Sequence, residues 1–301
     1  MKIFSLFLFS FVFLHSEDAL ASSCCVSNTS VSNLMILPSR WQETFSLSQS
    51  RVIGDVNEKG SSVFRRDNNR DILNLAKLDL AYGWSPRYQS GLSLKYQGRS
   101  RDLNGESSES SGWSDIGLWQ AYQIISSKRL WVFNSLNIPT GRSIYNTQSS
   151  LGVDARGSGT YQVGLGIFAI RNLKEWDFIS SSEIHHSLGR TFNEDGIETR
   201  ASSFWGASLS GGVGYIPWRS KARYGLGLTP RYEEPKNVRV NKTRVDGKSS
   251  LVWDLSINYS YTINSQHSLG LSYIDQTIFG PARNTVLSRL VIFQWQTKWE
   301  R

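Results

Sequence analysis

Between Trp41 and Trp299, segments of about ten residues with a two-residue hydrophobic period are joined by connections that alternate long and short without a break. Long connections run over 54–71, 100–113, 140–159, 187–202, 234–249 and 277–285. The short ones are 85–87, 126–129, 172–175, 216–221 and 264–267. The period is that of a strand with one apolar and one polar face. The clearest case is 251–261, where Leu251, Trp253, Leu255, Ile257, Tyr259 and Tyr261 alternate with Val252, Asp254, Ser256, Asn258 and Ser260. No helical 3.6-residue period is sustained, and no long linker divides the chain.

This pattern predicts twelve strands at 41–53, 72–84, 88–99, 114–125, 130–139, 160–170, 176–186, 203–215, 222–233, 250–262, 268–276 and 286–299. The first, fifth and seventh are the weakest: Glu43, Asn134, and Ser180 with Ser182 interrupt their apolar faces. Long loops at one end and short turns at the other are the habit of outer-membrane barrels, whose turns are periplasmic. The expected fold is all-β: a transmembrane, antiparallel, up-and-down β-barrel of about twelve strands with both termini periplasmic. A soluble sandwich gives no reason for loop length to alternate. On the lipid face fall Leu165, Leu226, Leu228, Leu255 and Ile257.

Composition fits once both faces are counted. Mean hydropathy is −0.33, which resembles a soluble chain, but averaging a lipid face with a polar lumen gives the same value. Aromatics reach 12%, with 11 Trp and 12 Tyr. Tyr82, Trp84, Tyr88, Trp131, Trp176, Tyr215, Trp218, Tyr224, Tyr259, Tyr261 and Trp299 lie at short-turn ends. Trp113, Trp205, Tyr232 and Trp253 lie nearer the long loops. Amphipathic rings favour the headgroup level, so both sets are expected in interfacial belts.

The N-terminus reads as an export signal. Lys2 precedes the apolar run Ile3–Leu14, and Ala19-Leu20-Ala21 supplies a cleavage site. The run is too short to cross a bilayer as a helix, which takes ~20 residues. Three regions follow: 1–21 a signal peptide, 22–40 a periplasmic or lumenal extension, and 41–301 the barrel. Removing the signal takes away one cation and two anions, so the formal charge of +8 rises by one. The basic residues are scattered and the chain is exported, which argues against a nucleic-acid partner. Lumen walls and anionic lipopolysaccharide account for the charge better. Outer-membrane lipids and the barrel-assembly machinery are the other expected partners, together with a small-molecule solute. Cys24 and Cys25 leave several options open: a disulfide, no role, lipid attachment or a metal site. Adjacent cysteines bridge each other poorly. Ala21-Ser22-Ser23 lacks the apolar residue expected before a lipidated cysteine, and no third soft ligand is near.

Alternation assigns Lys77, Asp79, Lys95, Arg99, Asp115, Glu183, His185, Arg223, Arg231, Glu233, Asp254 and Lys298 to the lumen face. Charges there can select solutes or pair across the lumen. Their mixed sign argues against strong selectivity for one ion. Trp119 and Phe168 also point inward, either as a constriction or as filler. Ten glycines fall on the same face, at 83, 91, 117, 164, 166, 206, 212, 225, 227 and 270, and are expected to leave open space. Glu183, His185 and His186 form the single histidine–acid cluster, but no G-x-S-x-G, H-E-x-x-H or P-loop pattern accompanies it. No cofactor motif is present, and the chain reads as a non-enzyme.

Gly112-Trp113-Ser114-Asp115-Ile116-Gly117-Leu118 with Tyr122 resembles a recurring strand of a Gram-negative outer-membrane barrel family. Its members are labelled putative transporters or MetA-pathway of phenol degradation proteins. Leu136-Asn137-Ile138-Pro139-Thr140-Gly141 and Gly157-Ser158-Gly159-Thr160, followed by Val163-Gly164, resemble its next two motifs. The resemblance covers about 112–168. It implies an outer-membrane channel or transporter for small aromatic or apolar solutes, and it brings no catalytic residue. The alternatives are a non-conducting structural or surface-contact barrel and an outer-membrane lipid hydrolase using His185. The chain departs from the usual terminal aromatic, ending Trp299-Glu300-Arg301, while Phe293, Trp295 and Trp299 keep the terminal-strand alternation.

Overall fold

The structure is a computed structural model describing residues 40–65, 69–125, 129–194, 196–241 and 243–300. The export signal, Cys24 and Cys25 lie outside the described residues. Twelve long strands form one closed antiparallel sheet. They are β1 (Arg40–Val56), β2 (Arg70–Gly83), β3 (Tyr88–Leu103), β4 (Ile116–Ile125), β5 (Leu130–Ile138) and β6 (Gln162–Leu173). The circuit continues with β7 (Trp176–Ser187), β8 (Phe204–Tyr215), β9 (Ala222–Glu233), β10 (Ser250–Thr262), β11 (His267–Asp275) and β12 (Thr285–Glu300). Each strand pairs with its sequence neighbours, and β1 pairs with β12 from Arg40↔Glu300 to Val56↔Thr285. Closure leaves no open edge, which a barrel in hydrocarbon requires because no water is there to satisfy exposed amides.

All the short turns and both barrel termini share one end. The opposite end is more structured than its loop composition suggests. Strands β1 and β3 run past the expected 53 and 99 to Val56 and Leu103. Glu106–Trp113 folds back on β3 as a hairpin arm, turning at Asn104-Gly105, both with positive φ. Four short strands, Arg190–Glu194, Ile197–Ala201, Val238–Val240 and Thr243–Val245, tie two loops into a separate sheet. The 139–161 connection carries a single 3-10 turn, Ile144–Asn146.

The outer surface is apolar where alternation requires it. Leu165, Leu226 and Ile257 are 67%, 50% and 57% exposed, while Leu228 and Leu255 are outward and half-covered. Near the short turns Trp41 packs on Tyr82, with ring centroids 4.7 Å apart, and Tyr82 packs edge-on against Trp84 at 4.8 Å. Trp176 with Tyr215 and Tyr224 with Tyr259 continue this girdle. Such an outer face suits an outer membrane.

Trp131 corrects the expected belt. It is buried and inward, facing Phe168 across the β5–β6 pair with ring centroids 5.8 Å apart. On β5 the inward positions are Trp131 and Phe133, and Asn134 is the one turned outward. Both faces of this strand carry large apolar groups, so composition could not say which face was lumenal.

Arginine at Ile257 or Leu255 should destabilise the barrel by roughly 2–4 kcal/mol near the bilayer midplane, and Ser256→Arg, on the opposite face, by less. Unfolding in lipid vesicles measures both; equal tolerance would show that the faces are reversed.

Candidate functional site

The lumen has two unlike halves. Towards the short turns, Ala81, Trp119, Ala121, Trp131, Phe133, Phe168, Ile170 and Ile179 form a buried apolar cluster on the inner face of β2–β7. The opposite inner face, from β10 and β11, is made of Ser256, Asn258, Ser260, Ser268 and Ser272. The expected constriction residues Trp119 and Phe168 therefore belong to a larger aromatic block.

Four of the ten lumen-face glycines, Gly91, Gly164, Gly166 and Gly206, are filled by neighbouring side chains and leave no open space. A Cβ on Gly91 would collide with the Trp119 indole, and one on Gly166 with the Phe133 ring. Likewise Gly164 gives room to Ser135 and Glu183, and Gly206 to the His185 ring. Glycine on one strand lets a large side chain of the next lie flat against the wall.

Above the aromatic block lies a cavity of ≈ 530 Å³. Its walls include serines of β1 (Ser46, Ser48, Ser50), the amides Gln97, Gln162, Gln276 and Gln294, and the lysines Lys77 and Lys95. An apolar patch of Leu73, Leu75, Ile274, Leu290 and Ile292 shares the same space. The volume falls within the ~300–1,000 Å³ usual for small-molecule sites.

The predicted charged residues divide by length of side chain. Asp79 accepts from Ser93 Oγ and pairs with Lys77 at 2.9 Å. Asp71, on β2 and missed in the sequence, holds Arg99 at 2.8 Å, Arg101 at 2.9 Å and Arg65 at 3.2 Å. Asp254 pairs with Arg231 at 3.0 Å and accepts from Gln276 Nε2 at 2.8 Å. Asp177, also missed, takes the buried Arg223 guanidinium through Nε at 2.5 Å and through Nη2. These four acids and Asp115 are at most 4% exposed. By contrast Lys77, Arg99, Arg101 and Arg231 retain side-chain exposures of 21%, 22%, 21% and 34%. A short carboxylate stays at the wall while a long cationic chain reaches past it. Alternation already puts Asp177 on the face of Glu183 and His185 within 176–186, and it would have reached Asp71 had strand 72–84 been extended by one residue.

Glu183 and His185 share the inner face of β7, and Glu183 accepts from Ser135 Oγ at 3.1 Å. Among the described residues, Nε2 of His185 has no hydrogen-bond partner. His186 turns outward and stacks on Trp205 at 4.3 Å. Glu233 pairs with Lys236 at 2.5 Å, and Lys298 lies on the inner face of β12. Among the described residues no group of three His, Cys, Asp or Glu side chains is placed to hold a metal ion.

Asp115 organises the mouth. Tyr96 faces Trp113, but Ser93 faces Gly117, so one extra residue enters the strand at Ser114-Asp115. Such a bulge re-aims a side chain, here turning Asp115 inward. Its carboxylate accepts from Gly141 N at 3.1 Å, Asn137 Nδ2 at 3.0 Å, Ser158 N at 2.7 Å and Ser158 Oγ at 2.8 Å. A Cβ on Gly157 would collide with Asp115 Oδ1. Three motifs far apart in sequence thus meet on one carboxylate. The loop they anchor bends into the barrel mouth: Arg101 donates to Leu151 O at 2.5 Å, and Ser108 and Ser149 hydroxyls lie 3.1 Å apart. Within the loop, burial alone would push the Asp154 carboxyl up. Hydrogen bonds from Thr147, Arg142 and the Gln148 amide outweigh it and hold the group well below its ordinary 3.8.

No protein-family model matches the sequence, and no curated protein matches it. Among solved structures the fold is similar to the COG4313 outer membrane channel from Pseudomonas putida F1. The TM-score is 0.69 over 88% of this chain and 97% of that one, at 14% identity. Lower similarity links it to the β domain of the Bordetella autotransporter BrkA, with TM-score 0.49 and 13% identity over 86% and 98% of the chains. The NanC porin gives 0.45 and 11% over 84% and 100%. The likeness is one of fold.

Two outcomes follow. Asp115→Ala removes an acceptor of four hydrogen bonds, each worth about 1.5–3 kcal/mol when charged. Trypsin should then cut at Arg142 or Arg156, as read by mass spectrometry; an uncut loop would show that Asp115 is not its anchor. The lowered Asp154 carboxyl favours the folded loop above pH 3.8, and that contribution is lost only as pH falls below this value. Trypsin cutting after acid exposure at pH 4–5 should match that at neutral pH.

Proposed function

We propose that the chain is an outer-membrane channel for small solutes with an apolar or aromatic body. The observation that carries the reading is the lumenal cavity, lined by an apolar patch on one side and by serines, glutamines and lysines on the other. Its combination of apolar patch and polar wall can solvate such a solute in stages. Water alone would need no apolar patch, and a purely structural barrel would need no cavity. The similarity to a solved outer membrane channel supports the architecture. The long loops then face outward and the termini lie in the periplasm, next to the barrel-assembly machinery during insertion. Lipopolysaccharide and outer-membrane lipids would contact the outer face. Residues 1–21 act as the export signal in this reading, and 22–40 as a periplasmic or lumenal extension.

The lumen-facing residues gain roles accordingly. Trp119 and Phe168 set the width of the lower passage. Arg99 with Asp71, and Arg231 with Asp254, brace the wall around the upper cavity. Arg223 and Asp177 close the lower wall as a bidentate pair. A lipid hydrolase would need an oriented nucleophile beside a histidine base; among the described residues none hydrogen-bonds His185 Nε2.

Purified protein in planar bilayers should show small conductance steps and, in liposomes, flux of small solutes. Trp119→Ala removes the indole nested over Gly91 and should increase both. Absence of conductance and flux, in the intact protein and with residues 22–39 deleted, would favour the structural reading.

A further inference from the structure

The two lysines of the cavity stand directly opposite each other, Lys77 on β2 and Lys95 on β3. Like charges facing across a strand pair repel, and here they do so inside a barrel. Lys77 is compensated by Asp79 at 2.9 Å. The side-chain ammonium of Lys95 makes no hydrogen bond or ion pair with any described residue. The acids that act on it electrostatically are Asp79 and Asp115. Asp79 is taken by Lys77 and Ser93, and Asp115 by Gly141, Asn137 and Ser158. Asp79 and Asp115 are buried at 3% and 4% exposure and neither residue lines the cavity, whereas Lys77 and Lys95 both do. The cavity therefore presents positive charge, with one ammonium uncommitted, a few residues from the leucine and isoleucine patch.

We infer that this cavity is a binding site for small organic monoanions, with a carboxylate held by Lys95 and an apolar or aromatic body lying on Leu73, Leu75, Ile274 and Leu290. The inference rests on the channel reading for its biological sense but not for its test. A carboxylate at Lys95 supplies the counter-charge that the wall withholds, and the serine and glutamine side chains nearby can hydrogen-bond its second oxygen. A neutral hydrocarbon would leave the ammonium unpaired, at a cost in affinity. An inorganic anion would satisfy Lys95 but waste the apolar patch. The selectivity follows: mixed charge in the sequence becomes a cationic surface in the lumen, because the acids are drawn into the wall.

The test is calorimetric binding of benzoate, acetate and benzyl alcohol to purified protein in detergent, with liposome flux of benzyl alcohol in parallel. Benzoate should bind more tightly than acetate. Lys95→Met should weaken benzoate about tenfold or more, since a charged hydrogen bond is lost, and leave benzyl alcohol unchanged. Lys95→Arg, which keeps the charge, should retain most of the benzoate affinity and controls for folding. Without any variant, benzoate affinity should fall as chloride concentration rises. A folded Lys95→Met that binds benzoate like the unmodified protein overturns the inference. So does benzoate affinity that is no better than acetate, or indifferent to salt. Benzyl alcohol flux with no benzoate binding sinks the site and leaves the channel standing; benzoate binding with no benzyl alcohol flux does the reverse.

Discussion

Everything in this molecule depends on the pairing of β1 with β12. In hydrocarbon an unpaired amide has no water to turn to, so a sheet can cross only if it closes. Register from Arg40↔Glu300 to Val56↔Thr285 does this along the full length of both strands. Closure also defines an inside. Once the sheet is a cylinder, each strand's polar face becomes lumen wall and its apolar face meets lipid. The charges, the glycines and the aromatic block acquire their positions from that one condition.

The lumen is then a packing problem with two solutions in one barrel. On β2–β7 large aromatics fill the lower space, Trp119 lying over Gly91, Phe133 over Gly166, and Trp131 against Phe168. On β10 and β11 small polar side chains leave their half of the wall shallow. The upper cavity exists because neither solution extends that far: serines replace aromatics on β1, and aliphatic residues on β2, β11 and β12 line one side. The loop anchored by Asp115 is tied to the end of β3 and its hairpin arm, through Arg101 and Ser108, so the long-loop end is shaped by a segment that the barrel itself holds in place.

Charge placement follows from side-chain length. Asp71, Asp79, Asp115, Asp177 and Asp254 are short and sit in the wall, satisfied by arginine, lysine, serine or backbone amides. Lys77, Arg99, Arg101 and Arg231 carry their charge further inward, while Arg223 stays buried on Asp177. Around the upper cavity the lining thus carries lysine and no carboxylate, which is the physical basis of the proposed preference for an anionic solute.

The amino-acid sequence by itself determined the barrel, the strand count, the common end of the short turns and the facing of residues such as Ile257, Leu165, Lys95 and Asp254. These follow from a two-residue period and from loop length, which are local properties. It did not determine the facing of Trp131, because β5 is apolar on both faces and only pairing with β6 decides between them. Nor could it show that Gly91, Gly164, Gly166 and Gly206 are filled by neighbours, since the filling side chain comes from another strand. Asp115 was legible as an inward residue within a motif. That it gathers Gly141, Gly157 and Ser158 required the bulge at Ser114-Asp115 and the inward fold of the loop. Which charges face the solute was likewise a tertiary outcome: alternation gives the face of a side chain, but its reach and its partners depend on what stands across the lumen.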